Sequence, residues 1–243
     1  MILTAQQIYD KLSLNYNIRN VNGFIRFNLG PHQMIVTTRD VVGNIIENWV
    51  KDWMKNNNID FEPNPNTQTK PDIYIMPGDH TQGLLEIKAF DYSASANFDI
   101  ADFKGLAKEL LIRPYLLDVD ALIFGYIMNP VTGEVVVKDM WLKKLWELSC
   151  PSERWPIKVQ FKNQIISKIR PATWYSLSGR TKYRCFMSLT DFLSAFEETL
   201  YLYQDTHPIA STWRRDFRAA YYNHYKLLID IPRWDDIKSN YDL

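Results

Sequence analysis

The stretch Leu84-Leu-Glu-Ile-Lys-Ala-Phe90 constrains this chain more than any other. Its apolar residues read as a short strand buried in a sheet, bounded by the turn-forming run Pro77-Gly-Asp-His-Thr-Gln-Gly83. Successive side chains on a strand point to opposite faces, so Glu86 and Lys88 share a face. An unpaired charge is costly to bury, and two charges on so apolar a strand need a reason. A second short strand, Ile73-Tyr-Ile-Met76, precedes the turn. If 73–76 pair antiparallel with 84–89, Asp72, which follows Pro71, returns to the side of Glu86 and Lys88.

Close carboxylates repel unless something positive lies between them. Mg²⁺ suits that place, because one or two carboxylates hold it while it keeps waters and takes phosphate oxygens. With Lys88 beside the attacking water, Asp72, Glu86 and Lys88 form a set suited to phosphodiester hydrolysis. The alternative is an ordinary Glu86–Lys88 pair on an exposed sheet face, with Asp72 only opening a turn.

The flanking segments are read by period. Thr4-Ala-Gln-Gln7 forms a capping box ahead of an apolar stripe at Ile8, Leu12 and Tyr16. The alternation from Gly23 to Thr38 predicts a hairpin around Leu29-Gly-Pro-His32. Asp40 is expected to cap a helix whose apolar face holds Val42, Ile45, Ile46, Trp49 and Trp53, ending at Asn56-Asn-Asn58. Glu47 lies at the border of that face. Asp99 is expected to start a helix that Pro114 stops. A hairpin follows around Asn129-Pro-Val-Thr-Gly133, then strands at 157–161 and 164–169 and helices at 191–203 and 211–228. Helices alternating with strand pairs predict an α/β fold, a mixed central β-sheet flanked by helices. No linker is long enough to force a boundary, so a single domain over 1–243 is expected.

Composition excludes several classes. Charged residues make up 23% and apolar residues 46%, the balance of a globular chain. The longest apolar run, Ala121 to Met128, falls far below the roughly 20 residues of a membrane helix. The first residues show no basic region followed by an apolar core. Two cysteines are too few for a disulfide framework or a Cys-based zinc site, and the four histidines lack metal-binding spacing. No GxxxxGK[S/T] motif occurs, so no nucleotide cofactor is expected. These features predict a soluble cytoplasmic protein with no membrane partner.

Pro71-Asp72 … Glu86-Ile87-Lys88 resembles the signature of the PD-(D/E)XK nucleases, whose best-known members are type II restriction endonucleases. The resemblance implies a restriction-endonuclease-like fold with its catalytic core at about 40–140. It also implies that Asp72 and Glu86 bind Mg²⁺, joined by the carbonyl of Ile87, and that Lys88 positions or activates the water. In that family a preceding helix often supplies one more acid, a place that Glu47 matches; an i,i+4 pair with Lys51 explains Glu47 equally well. Asp40-Val-Val-Gly-Asn-Ile-Ile46, Asn64-Pro-Asn-Thr67, Leu85-Glu-Ile-Lys-Ala-Phe90 and Phe98-Asp-Ile-Ala-Asp-Phe103 are similar to the NgoBV/NlaIV type of restriction endonuclease. That likeness implies the interrupted palindrome GGNNCC as target, 5′-phosphate ends, and a homodimer with one site per strand.

The charge distribution fits double-stranded DNA as partner. The chain carries 28 basic and 28 acidic residues. Residues 154–184 nevertheless hold eight basic residues and no acid, a +8 block in a chain otherwise at −8. DNA-recognition elements are therefore expected at about 154–186, with Lys168, Arg170, Arg180, Lys182 and Arg184 as contacts. Lys104, on a helix after the catalytic strand, is a further candidate for phosphate contact. The expected activity is thus a Mg²⁺-dependent type II restriction endonuclease. A structure-selective repair or recombination nuclease with the same core, and a non-catalytic DNA-binding module, stay open as alternatives.

Overall fold

The computed structural model describes residues 1–66, 69–175 and 183–242. The chain begins with a helix fixed by its cap. The Thr4 hydroxyl accepts from the Gln7 N–H at 3.2 Å, and the Gln7 side chain accepts from the Thr4 N–H at 2.9 Å. Helix α1 (Ala5–Asp10) follows, continued by a π-helical turn that buries Leu12 beneath Ile8. Next come β1 (Asn22–Phe24) and the hairpin β2 (Arg26–Leu29) to β3 (His32–Ile35), which turns at Gly30 as expected.

Helix α2 (Val42–Asn56) departs from expectation in two details. Asp40 does not cap it: Asp40 lies in a 3₁₀ turn, Val41 holds the cap position, and no side chain caps that end. The buried face holds Val42, Ile46, Val50, Trp53 and Met54, while Ile45 is exposed. A stripe read from sequence cannot tell which edge of a wide apolar face the neighbours cover.

Strands β4 (Glu62–Pro63), β5 (Ile73–Tyr74) and β6 (Leu84–Asp91) lead to β7 (Ala101–Asp102) and α3 (Phe103–Glu109). Asp99 does not start α3. Asp102 does, its carboxylate accepting from the Gly105 N–H at 2.7 Å. Ala101 and Asp102 are held in a strand by pairing with Ile169 and Lys168, and this delays the helix. The chain continues through β8 (Asp120–Met128), β9 (Glu134–Lys144), β10 (Val159–Lys162), β11 (Ile165–Ile169), α4 (Leu189–Leu202), α5 (His207–Tyr225) and α6 (Trp234–Ile237).

Two compact units share this chain. The first, residues 1–96 and 119–143, holds a six-stranded sheet in the order β1-β9-β8-β6-β5-β4. β6 runs parallel to β8, from Leu85 opposite Asp120 to Asp91 opposite Tyr126, and antiparallel to β5, so the sheet is mixed. Leu85 and Ile87 of β6, Leu122 and Phe124 of β8, and Val42, Val50 and Met54 of α2 all lie in one core. A parallel pair needs such cover, and it accounts for the apolar run of β6.

The second unit, residues 97–118 and 144–243, contains the three-stranded sheet β10-β11-β7 with helices α3 to α6. Its core is aromatic. Phe103 meets Phe196 edge-on at 5.2 Å, and Trp213 stacks on Phe217 at 5.0 Å. The indole N–H of Trp213 donates to the Ala107 carbonyl at 2.9 Å, tying α5 to α3. No helix among the described residues is long and apolar enough to cross a membrane. Trp213→Ala removes a fully buried ring and strands the Ala107 carbonyl, so a loss of about 3–5 kcal/mol is expected. Urea unfolding measures it, and a loss below about 1 kcal/mol would contradict this core assignment.

Candidate active site

Backbone register assembles the site. Ile73 pairs with Leu85 and Tyr74 with Leu84, so the residue before β5 falls opposite Glu86. The connecting turn closes with the Ile75 N–H donating to the Gly83 carbonyl at 2.8 Å. Gly83 has φ +60°, and a Cβ there would lie 2.8 Å from the Met76 side chain, so this turn requires glycine. Asp72 Oδ2 then accepts the Ile87 N–H at 2.7 Å. Asp72, Glu86, Ile87 and Lys88 meet as the sequence predicted.

Glu86 is only 3% exposed. Its Oε1 accepts from the Lys88 ammonium at 2.6 Å and from the Lys70 ammonium. Its Oε2 is buried and has no partner among the described residues. The burial of Glu86 excludes an exposed ion pair as the reason for Glu86 and Lys88. A buried carboxylate oxygen without a donor is costly unless a cation takes it.

The electrostatics follow from burial. Desolvation, reinforced by the charge of Glu86, pushes the Asp72 carboxyl up to about 6, against the pull of Lys88 and the Ile87 N–H. Burial also pushes Glu86 up, but Lys70 and Lys88 overcome it and hold Glu86 below its ordinary value. Burial works against the Lys88 charge, yet Glu86 and Asp72 raise its pKa and keep it an ammonium. For Lys70 burial prevails and its pKa is lowered. Glu47, half-buried on α2, acts on Asp72 and Lys88 through its charge. Its own carboxylate is engaged by Lys51 at 2.6 Å.

The oxygens present fit a hard cation. Two carboxylates and a backbone carbonyl are oxygen donors of the kind Mg²⁺ takes, and Mg²⁺ completes a sparse protein set with water. Among the described residues no group of three His, Cys, Asp or Glu side chains stands ready as a full metal cage. Asp72 and Glu86 are the carboxylate pair, with the Glu86 Oε2 unpartnered among the described residues.

Lys70 is the site residue that sequence reasoning missed. The β5–β6 register carries a signal for it, since extending the pairing by three more residues beyond Ile73 sets position 70 across from Lys88. The loop that carries Lys70 is clasped by Asn64, which is buried. The Asn64 side chain donates to the Pro71 carbonyl at 2.8 Å and the Thr69 carbonyl at 3.0 Å.

The expected DNA contacts lie in the second unit, and most described ones already have acidic partners. Lys168 pairs with Asp102 at 3.5 Å, Arg170 with Asp99, and Lys104 with Asp205 at 2.8 Å. A charge count over 154–184 does not see these acids, because all three lie outside that block. Arg184 is exposed, and Arg180 and Lys182 fall outside the described residues.

Comparison with known proteins places the chain. The family model described as NgoBV restriction endonuclease matches residues 2–241. A type II restriction enzyme, NlaIV of Neisseria lactamica, is 46% identical over 239 residues, covering 98% of each chain. Another, NgoBV of Neisseria gonorrhoeae, is 42% identical over 160 residues, 66% of this chain and 90% of the relative. The solved structure of the NlaIV restriction endonuclease superposes with a TM-score of 0.95 at 46% identity, covering 100% of this chain and 98% of that one. The chain belongs to the NgoBV restriction endonuclease family, with the restriction-endonuclease-like fold and the site-specific endonuclease class that membership carries.

Proposed function

We propose that this chain hydrolyses phosphodiester bonds of duplex DNA at a short palindromic site, with Mg²⁺ as its metal. The observation that carries the reading is the unpaired, buried Oε2 of Glu86 beside Asp72, with Lys88 on the other oxygen of the same carboxylate. Asp72, Glu86 and the carbonyl of Ile87 would hold the metal. When bound, a divalent cation supplies Lewis-acid stabilisation of the charge that develops on phosphorus oxygens and on the leaving oxygen.

The protein's own groups do the rest. Lys88 stays protonated under the field of Glu86 and Asp72, so it donates hydrogen bonds and does not remove a proton. Its role is to orient the attacking water and neutralise a phosphate oxygen for in-line attack, leaving 5′-phosphate ends. The Ile87 N–H fixes Asp72 in its rotamer, which keeps the second carboxylate aimed at the same place. Glu47 on α2 acts on Asp72 only weakly, because Lys51 engages its carboxylate at 2.6 Å.

Lys104, Lys168, Arg170, Arg180, Lys182 and Arg184 are proposed to meet the duplex. The paired ones exchange an acid for a phosphate, and each phosphate neutralised releases counterions, so binding falls with salt. The target GGNNCC, two-fold symmetric about its centre, calls for a homodimer with one site per strand.

Unmethylated phage-length DNA incubated with protein and Mg²⁺ is expected to give discrete bands of GGNNCC spacing, and none with EDTA. Intact DNA under both conditions would refute the nuclease reading. Glu86→Gln and Lys88→Ala are each expected to lower the cleavage rate by about 10²-fold to 10³-fold or more while the protein still retains the duplex in a gel-shift assay. Cleavage that survives both substitutions would refute the site assignment.

A further inference from the structure

Lys70 stands outside the acid-x-Lys set, yet its ammonium reaches the same oxygen of Glu86 that Lys88 holds. One ammonium suffices to pair a carboxylate. Two on one oxygen leave a local balance in which Glu86 and Asp72 are matched by Lys70 and Lys88. Glu47 adds little free charge, because Lys51 engages it at 2.6 Å. A site so balanced attracts a divalent cation far less than two bare carboxylates would, and any cation drawn to Glu86 meets ammonium groups already on it.

We infer that Lys70 is the resident counter-ion of this metal seat: its ammonium neutralises Glu86 while no divalent cation is bound, and cation binding works against that charge. The inference rests on the reading of Asp72 and Glu86 as the metal-holding carboxylates. Its position is built. Asn64 holds the carbonyls on either side of Lys70, those of Thr69 and Pro71, and the Asn64 N–H donates to the Asp72 carbonyl at 3.2 Å. The two lysines also differ in freedom. Lys88 belongs to β6, which is paired with β8 from Leu85 to Asp91. Lys70 comes from a loop and has only its flexible four-carbon stem to move. Lys70 is therefore the group that yields, and Lys88 keeps its place on Glu86.

The device explains how a carboxylate 3% exposed is tolerated without metal. A buried carboxylate needs its counter-charge at folding, and Lys70 adds to what Lys88 supplies. It also separates this idea from a role in orienting Glu86. An orienting lysine helps the metal bind, so its loss weakens binding. A competing charge hinders the metal, so its loss strengthens binding.

The test is a titration of the full chain with Mn²⁺ in the absence of DNA, followed by electron paramagnetic resonance of the free ion. Lys70→Met keeps the apolar stem and removes the charge. It is expected to bind Mn²⁺ about tenfold or more tightly than the unaltered protein, whereas Lys70→Arg stays close to it. Equal or weaker binding by Lys70→Met would overturn the inference. Lys70→Gln repeats the comparison with a polar side chain. Where either variant is partly unfolded without cation, the rise in melting temperature on adding Mn²⁺ carries the same information, and it should exceed that of the unaltered protein. Glu86→Gln separates the two levels of the argument. Mn²⁺ binding that is unchanged in Glu86→Gln would remove the metal-seat reading itself, while binding lost there but not tightened in Lys70→Met would sink only the role of Lys70.

Discussion

A carboxylate placed inside a covered sheet has to be balanced where it stands, because water is not there to screen it. Glu86 sits on the strand that pairs parallel with β8 and antiparallel with β5, and it is 3% exposed. Much of the first unit follows from that demand. Lys88 lies two residues on along the same strand, Lys70 arrives from the loop before β5, and Asp72 is anchored by the Ile87 N–H. The remaining imbalance is the Oε2 of Glu86, which is buried without a partner among the described residues and is the atom on which the proposed metal site rests.

The arrangement keeps a buried charge where packing alone would not place one. Local rules favour an apolar side chain at position 86, as at 85 and 87, which are buried to 0% and 3% exposure. The departure from those rules falls at the residue proposed to hold the metal. Asp72, raised by burial and by its neighbour, is the softer of the two carboxylates toward a proton, while Glu86 is kept ionised by two ammonium groups.

In the second unit the lesson concerns charge counting. The +8 block over 154–184 is a fact of the sequence, but Lys168 and Arg170 point to Asp102 and Asp99. Strand pairing causes this, since β11 lies against β7 and brings the acids just before α3 beside the bases of β11. A run of like charge along a chain is therefore not yet a patch of like charge in space. Paired cations remain able to meet phosphates, because exposed ion pairs are weak and exchange partners readily.

The sequence alone determined what local physics controls. The capping box at Thr4, the hairpin about Gly30, the two strands around the 77–83 turn and the meeting of Asp72, Glu86 and Lys88 all follow from period, turn residues and strand alternation. Its likeness to the PD-(D/E)XK nucleases, and to the NgoBV/NlaIV type within them, was legible in the same residues. Tertiary structure decided the rest. Asp102 caps α3 in place of Asp99 because a distant strand claims residues 101–102. α2 buries Val50 and Met54 and leaves Ile45 out because packing selects one edge of its apolar face. Lys70 joins the site from a loop clasped by Asn64, and the register that sets it across from Lys88 extends past the paired residues of β5. Such long-range choices depend on which surfaces meet, and that is settled only when the sheet and its covering helix come together.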